Sequence, residues 1–285
     1  MTYFFEILKT VIFGIIQGIT EWLPISSTGH LILANQFLQL KQSAEFMNLF
    51  LVVIQFGSIL AVVTLYFHKL NPFSPKKNEA EKKDTWTMWL KVIVAVLPAA
   101  VIGLFFDDIV EDFLSTPFVI ALTLLIYGIL FIIIERKNTN VKVQSISQMS
   151  YKTAIIIGLC QVLAMIPGTS RSGATILGAV LIGTSREVAA EFSFFLAVPV
   201  MFGASALRCV KYVLENGFMF ENGGIWLLLI GTAVSYVVSI LAIRFLMSYI
   251  RKHTFTVFGY YRIILAILIL IYFGITGNLF SGISA

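Results

Sequence analysis

Six stretches of the chain stay apolar for about 20 residues each, over 46–67, 88–106, 117–134, 192–214, 225–247 and 257–276. That length crosses a hydrocarbon core as a helix, and a helix satisfies its own backbone groups, as lipid requires. The period-2 alternation of a barrel is absent. Two further apolar regions are interrupted by polar residues. Region 3–38 breaks at Pro24-Ile25-Ser26-Ser27, and region 153–184 breaks at "PGTSRSG", Pro167 to Gly173. In the second region the pieces 153–166 and 174–183 are too short to cross alone. Two short helices joined by a polar loop predict a re-entrant hairpin. Its non-helical backbone must be buried in protein or line a wet cavity.

The interrupted regions also match one another. At an offset of 144, Gly14 aligns with Gly158, Gln17 with Gln161, Ser26 with Ser170, Gly29 with Gly173 and Leu33 with Leu177. At an offset of 146, Glu45-Phe46 aligns with Glu191-Phe192 and Phe56-Gly57 with Phe202-Gly203. An ordered series of this length predicts an internal repeat within a single membrane domain, about 1–140 and 141–285. Each half reads as one hairpin plus three spans, and an odd number of spans inverts the second copy. The predicted fold is therefore all-α and polytopic, with two inverted-topology repeats. In such folds substrate sites lie between the repeats, at broken helices.

Loop charge orients the chain. Loop 68–87 carries Lys69, Lys76, Lys77, Lys82 and Lys83; loop 135–152 carries Arg136, Lys137, Lys142 and Lys152; loop 248–256 carries Arg251 and Lys252. The positive-inside rule makes these cytoplasmic. Loop 107–116, "DDIVEDFLST", has no basic residue and is expected outside, as are 215–224 and both termini. Composition agrees with a membrane protein: 58% of residues are hydrophobic and 12% charged, against about 25% charged in soluble domains. Loop lysines and arginines account for the net charge of +5, so no nucleic-acid partner is implied. Cys160 and Cys209 both lie in apolar segments and form no metal or redox motif. The first apolar stretch contains Glu6 and Lys9 and lacks a small-residue cleavage site, unlike a signal peptide. Those two charges are expected to snorkel to the interface.

The polar residues of the breaks are the candidate chemistry. Gly14, Gln17, Gly18 and Glu21 share one helix face. The glycines permit close helix approach, and an intramembrane carboxylate marks a site. Pro24 ends the helix, and Ser26 and Ser27 can cap a new one starting near Thr28. A helix N-terminus attracts anions. The second break adds Arg171 among Thr169, Ser170 and Ser172. A guanidinium at that depth requires an anionic partner, either Glu21 or a phosphate that its fork can grip. Together the tips supply hydroxyls, a carboxylate, His30 and a cation, the parts needed for hydrolytic phosphoryl transfer. The chain has three histidines, and His68 and His253 fall in or beside cytoplasmic loops. A histidine-rich zinc site is thereby excluded. A divalent cation held by one carboxylate and by substrate phosphates stays compatible. No Gly-Lys-Ser/Thr is present at the second break, so it is not a nucleotide-binding P-loop.

"GIIQGITEWLPISSTGH" and "PGTSRSGATILGA", set in this plan of spans, closely resemble the bacterial undecaprenyl-diphosphate phosphatases, or bacitracin-resistance proteins. The resemblance covers essentially the whole chain. It implies two inverted repeats and conversion of a polyprenyl diphosphate, undecaprenyl diphosphate, to the monophosphate carrier lipid for peptidoglycan synthesis. It places the chain among the lipids of the bacterial cytoplasmic membrane, with the site opening to the outer face, and allows a homodimer. It further implies dependence on Mg2+ or Ca2+. Residue by residue, the acidic motif falls on Gln17 and Glu21, and the Ser-Ser-Thr-Gly-His motif on Ser26, Ser27, Thr28, Gly29 and His30. The arginine motif falls on Pro167 to Gly173, with Arg171 as the phosphate-binding arginine and Thr169, Ser170, Ser172 and Gly173 around it. Several relatives have glutamate where this chain has Gln17, which concentrates the base or metal-ligand role on Glu21.

The expected mechanism has Ser27 attacking the terminal phosphorus, with Ser26 as the alternative nucleophile. His30 or Glu21 takes the serine proton, or Glu21 holds a metal. Two rivals share parts of the pattern. A secondary transporter or flippase for a lipid phosphate would use the same broken helices. The lipid phosphatases with a histidine nucleophile have an element that "PISSTGH" resembles. That chemistry needs another histidine after Arg171, and the one histidine there, His253, falls in a cytoplasmic loop.

Overall fold

The computed structural model describes residues 2–137, 140–217 and 223–282. The first half comprises α1 (Thr2–Thr20), α2 (Ser27–Phe37), α3 (Ala44–Leu65), the single turn α4 (Phe67–Leu70), α5 (Glu79–Leu114) and α6 (Pro117–Arg136). The second comprises α7 (Tyr151–Val162) with a 3-10 turn (Leu163–Met165), α8 (Arg171–Leu181), α9 (Arg186–Asn216), α10 (Gly224–Ile250) and α11 (Thr256–Ile275). Among the described residues there are no strands beyond one isolated bridge, Val143 to Thr184. Among the described residues, seven helices are long and apolar enough to cross a membrane. The seventh is α1, whose apolar stretch Tyr3–Thr20 reaches span length before the break.

Packing follows the repeat. α1 lies against α10, and its counterpart α7 lies against α5. α3 packs on α9, and α6 on α11, each joining equivalent elements of the two halves. Small residues make the first seams possible. A Cβ on Gly14 would sit 2.9 Å from the carbonyl oxygen of Gly231 on α10. One on Gly158 would collide with the carbonyl of Ala95 on α5. Both helices of each pair thus approach backbone to backbone. The main core joins both halves: Trp22, Ile59, Phe131, Ile176, Phe194 and Phe195 belong to one buried cluster.

Three local expectations need revision. The stretch 107–116 is mostly not a loop, because α5 runs on to Leu114. Nothing in it breaks a helix before Ser115, after which Thr116 caps α6 with Pro117 in its first turn. Loop 68–87 is helical at both ends, through α4 and an Asn78–Glu81 capping box that starts α5. Glu6 and Lys9 do not snorkel. They pair at 2.9 Å, Glu6 also accepts from the backbone of Lys41 at 2.7 Å, and Lys9 donates to the Gln39 carbonyl at 2.6 Å. This pair pins the start of α1 to the connection after α2. The 215–224 loop lies largely outside the described residues, as do both chain ends.

Candidate active site

The two breaks adopt the same unusual turn. Ser26 and Ser170 are the only non-glycine residues described with positive φ, at 74° and 69°. That region is costly for a side-chain-bearing residue, and such strain concentrates at functional sites. Each serine caps the following helix. Ser26 Oγ accepts from Gly29 N at 3.3 Å, and Ser170 Oγ accepts from Gly173 N at 3.2 Å. The strained turn is what lets each chain reverse within the protein and start a new helix at depth.

Glu21 is the centre on which the tips converge. It directly succeeds Thr20, the last residue of α1, and is 5% exposed. Its Oε2 accepts from Gln17 Nε2 at 3.0 Å and from Ser27 Oγ at 3.1 Å. Its Oε1 faces Arg171 Nη2 at 3.3 Å. Arg171 also donates through Nη1 to the Ser193 carbonyl of α9 at 2.9 Å, and its guanidinium lies 5.7 Å from the Trp22 ring. Trp22 in turn meets Phe194 edge-on at 5.2 Å. Ser172 Oγ donates to the Glu21 carbonyl at 3.2 Å, a direct tip-to-tip bond. A charge pair this deep gains little net stability from its own attraction. Its value is a carboxylate held against a hydroxyl and a guanidinium at once.

His30 turns elsewhere. Its Nδ1 lies 2.7 Å from the Ser26 carbonyl and its Nε2 lies 2.7 Å from the Tyr261 hydroxyl of α11, with the rings stacked. A carbonyl only accepts, so Nδ1 carries the hydrogen and Nε2 of the neutral ring accepts from Tyr261. Both nitrogens are therefore occupied, and neither reaches Ser27. Thr28 is exposed, Gly29 and Gly173 serve the caps, and the buried Thr169 hydroxyl has no partner. Arg171 Nε and Trp22 Nε1 are also buried without partners. Orphan donors around Arg171 fit a site built to receive oxygen atoms.

Three groups of the site were not anticipated from the sequence: Tyr261, Arg262 and the Ser193 carbonyl. Tyr261 and Arg262 are neighbours on α11, and Arg262 is fully buried. An arginine inside the apolar run 257–276 is itself an intramembrane charge, and that signal was present. The Ser193 carbonyl had none, since any residue there offers one.

For a divalent cation the fit is partial. Glu21 is the carboxylate in contact with the tips, and both of its oxygens are engaged. Among the described residues no three of His, Cys, Asp and Glu cluster as a metal site would need. The residues suit an ion that arrives with phosphate oxygens better than a resident one.

A cavity of about 1010 Å³ lies on the loop side among His68, Lys69, Lys77, Asp84, Lys91 and Arg251, and no tip residue lines it. Its charges are largely satisfied internally. Arg186 and Glu135 form a bidentate pair, Lys69 meets Glu191 at 2.6 Å, and Lys77 is fully bonded to two carbonyls and Thr85. Burial lowers the Lys77 ammonium below the usual lysine range. The tip cluster, not this basin, carries the reactive arrangement.

Known proteins resemble the chain over nearly its whole length. The undecaprenyl-diphosphatase of Enterococcus faecalis is 58% identical over 271 residues, covering 94% of this chain and 98% of that protein. Undecaprenyl-diphosphatase 1 of Clostridioides difficile is 57% identical over 269 residues, 94% of this chain and 96% of that protein. The undecaprenyl-diphosphatase of Streptococcus thermophilus is 56% identical over 272 residues, 95% of this chain and 94% of that protein. The pattern of the bacitracin resistance protein BacA family matches residues 10–268, which include both tips and α11 as far as Leu268, and the chain belongs to that family.

Proposed function

We propose that this protein hydrolyses undecaprenyl diphosphate to undecaprenyl phosphate and inorganic phosphate, returning the carrier lipid to peptidoglycan synthesis and conferring bacitracin resistance. One observation carries the reading: a serine hydroxyl and a guanidinium share a single buried carboxylate, Glu21. The named relatives are diphosphatases, which lends the transporter reading no support.

Ser27 Oγ attacks the terminal phosphorus, and its proton passes to Glu21 Oε2, to which it is already bonded. Arg171 exchanges Glu21 for phosphoryl oxygens and neutralises their developing charge. The bond from phosphorus to the bridging oxygen breaks, and undecaprenyl phosphate leaves. Glu21 gives the proton to the departing undecaprenyl phosphate. Water then attacks the phosphoserine and passes its proton to Glu21. The bond from phosphorus to Ser27 Oγ breaks, Glu21 returns the proton to that oxygen, and phosphate is released. Glu21 would hold a divalent cation, Mg2+ or Ca2+, which would offset phosphate charge when bound. Ser26 is a cap rather than the nucleophile, because its oxygen already serves Gly29 N. His30, held by Tyr261, shapes the first tip and does not take the serine proton. By loop charge the site opens to the outer face of the cytoplasmic membrane, and the polyprenyl tail stays among the helices.

The test is phosphate release from undecaprenyl diphosphate by the purified protein in detergent, with and without chelator. Release that falls on chelation is expected. Absence of release with Mg2+ or Ca2+ present overturns the reading.

A further inference from the structure

Arg262 joins the two tips through one guanidinium. Its Nη1 donates to the Pro24 carbonyl at 3.2 Å; its Nη2 donates to the carbonyls of Gly168 at 2.9 Å and Thr169 at 2.8 Å. Pro24 and Gly168 are equivalent positions in the repeat, 144 residues apart. The fork therefore takes the same carbonyl from each tip. Its guanidinium lies 5.4 Å from the Tyr127 ring of α6. Gly173 leaves the room for it, since a Cβ there would stand 3.0 Å from Nη1. Among the described residues no carboxylate pairs with Arg262.

Stability alone does not explain this residue. A buried charge is expensive, and apolar replacements of buried ionic groups are often neutral or stabilising. The other copy manages without one. Gly128 and Gly259 face each other's carbonyl across the α6–α11 seam, and three residues beyond Gly128 stands Phe131. A lysine could supply charge, but not a planar fork that spans two separate turns. What the fork fixes is the distance between Ser27, three residues after Pro24, and Arg171, three residues after Gly168. The positive charge is also uncancelled, whereas that of Arg171 faces Glu21.

We infer that Arg262 is a positioning residue for the phosphatase reaction: it locks the tips in register so that Ser27 and Arg171 act on one phosphoryl group. The inference rests on the hydrolase reading above. Misplacement of a reacting group by about 1 Å can cost about a hundredfold, and a positioning defect appears in kcat more than in KM.

The experiment measures kcat and KM for phosphate release from undecaprenyl diphosphate, with elution profile and melting temperature as checks of folding. Arg262→Lys should lower kcat by about 10–100-fold and move KM by less than about threefold. Arg262→Gln, which also removes the charge, should in addition raise KM by about tenfold. In an Arg171→Lys background, Arg262→Lys should cost less than about twofold more, because both changes break one arrangement. Folded Arg262→Lys protein at wild-type kcat overturns the inference, and so do fully multiplicative losses in the double variant. If the Arg262 variants do not fold, Tyr127→Leu serves. It should lower kcat about fivefold by freeing the guanidinium, and wild-type kcat there overturns the inference. Failure of the wild-type protein to release phosphate would instead sink the hydrolase reading.

Discussion

The two hairpin tips share a backbone and divide the chemistry. Both reverse at a serine of positive φ, both cap the next helix with that serine, and both come after a helix seated closely on its neighbour. The side chains then part company. Glu21 aligns with Met165, Ser27 with Arg171 and His30 with Ala174. The first tip holds the carboxylate and the hydroxyl that donates to it, and the second holds the cation. The two tips are thus two inward-turning frames of like backbone whose side chains are complementary. The site exists because the frames face each other, so neither tip is a site alone.

The sharpest way to break this division is at position 27. Ser27→Ala should reduce phosphate release by at least about a thousandfold, while Ser26→Ala should stay within about tenfold, having lost a cap and no nucleophile. The reverse order would make Ser26 the attacking residue. On the other tip, Arg171→Lys keeps the charge but loses the fork, and a loss of about a hundredfold is expected in the same assay. Equal activity of lysine and arginine would mean that the second tip does not grip phosphate directly.

How much of this is legible in the sequence depends on what kind of feature is asked about. The hairpins are, because polar residues stand out against an apolar background: Pro24, Ser26 and Pro167 to Gly173 mark the turns to within a few residues of α2 and α8. The match of Ser26 with Ser170 is also visible, though not the strained φ that both share. Side-chain direction is not. His30 lies within one turn of Ser27 yet faces Tyr261, a residue 231 positions away, and no local spacing reports such a partner. Arg262 is legible as a charge and hidden as a site, since its partners are carbonyls that every residue possesses. The acidic segment after Gly103 shows the opposite error. Falling hydropathy suggests a loop, while the lack of any glycine or proline between Gly103 and Ser115 lets α5 run on to Leu114.

A smaller effect separates the two glutamines. Gln17 donates to Glu21, whereas both amide atoms of Gln161 are buried without a partner. Gln17→Leu removes a bond that orients the base, and activity should fall about tenfold. Gln161→Leu removes an unsatisfied amide and should leave activity unchanged and the melting temperature equal or higher. If both variants lose activity alike, Gln161 has a polar role in the second tip and the division of labour is less complete.

The smallest effect tests whether the shared frame is strained. Replacing a capping serine by alanine normally costs about 1 kcal/mol, and by glycine only a few tenths. At Ser26 and Ser170 the gap should widen, because alanine keeps the strain of positive φ and glycine relieves it. Heat inactivation in detergent reports this as a rate, since unfolding of such proteins is commonly irreversible. Alanine should inactivate faster than glycine at both positions, and by a similar factor at each, because the two turns have nearly the same geometry. A difference at Ser26 alone would show that the strain belongs to the catalytic tip and not to the repeat that built it.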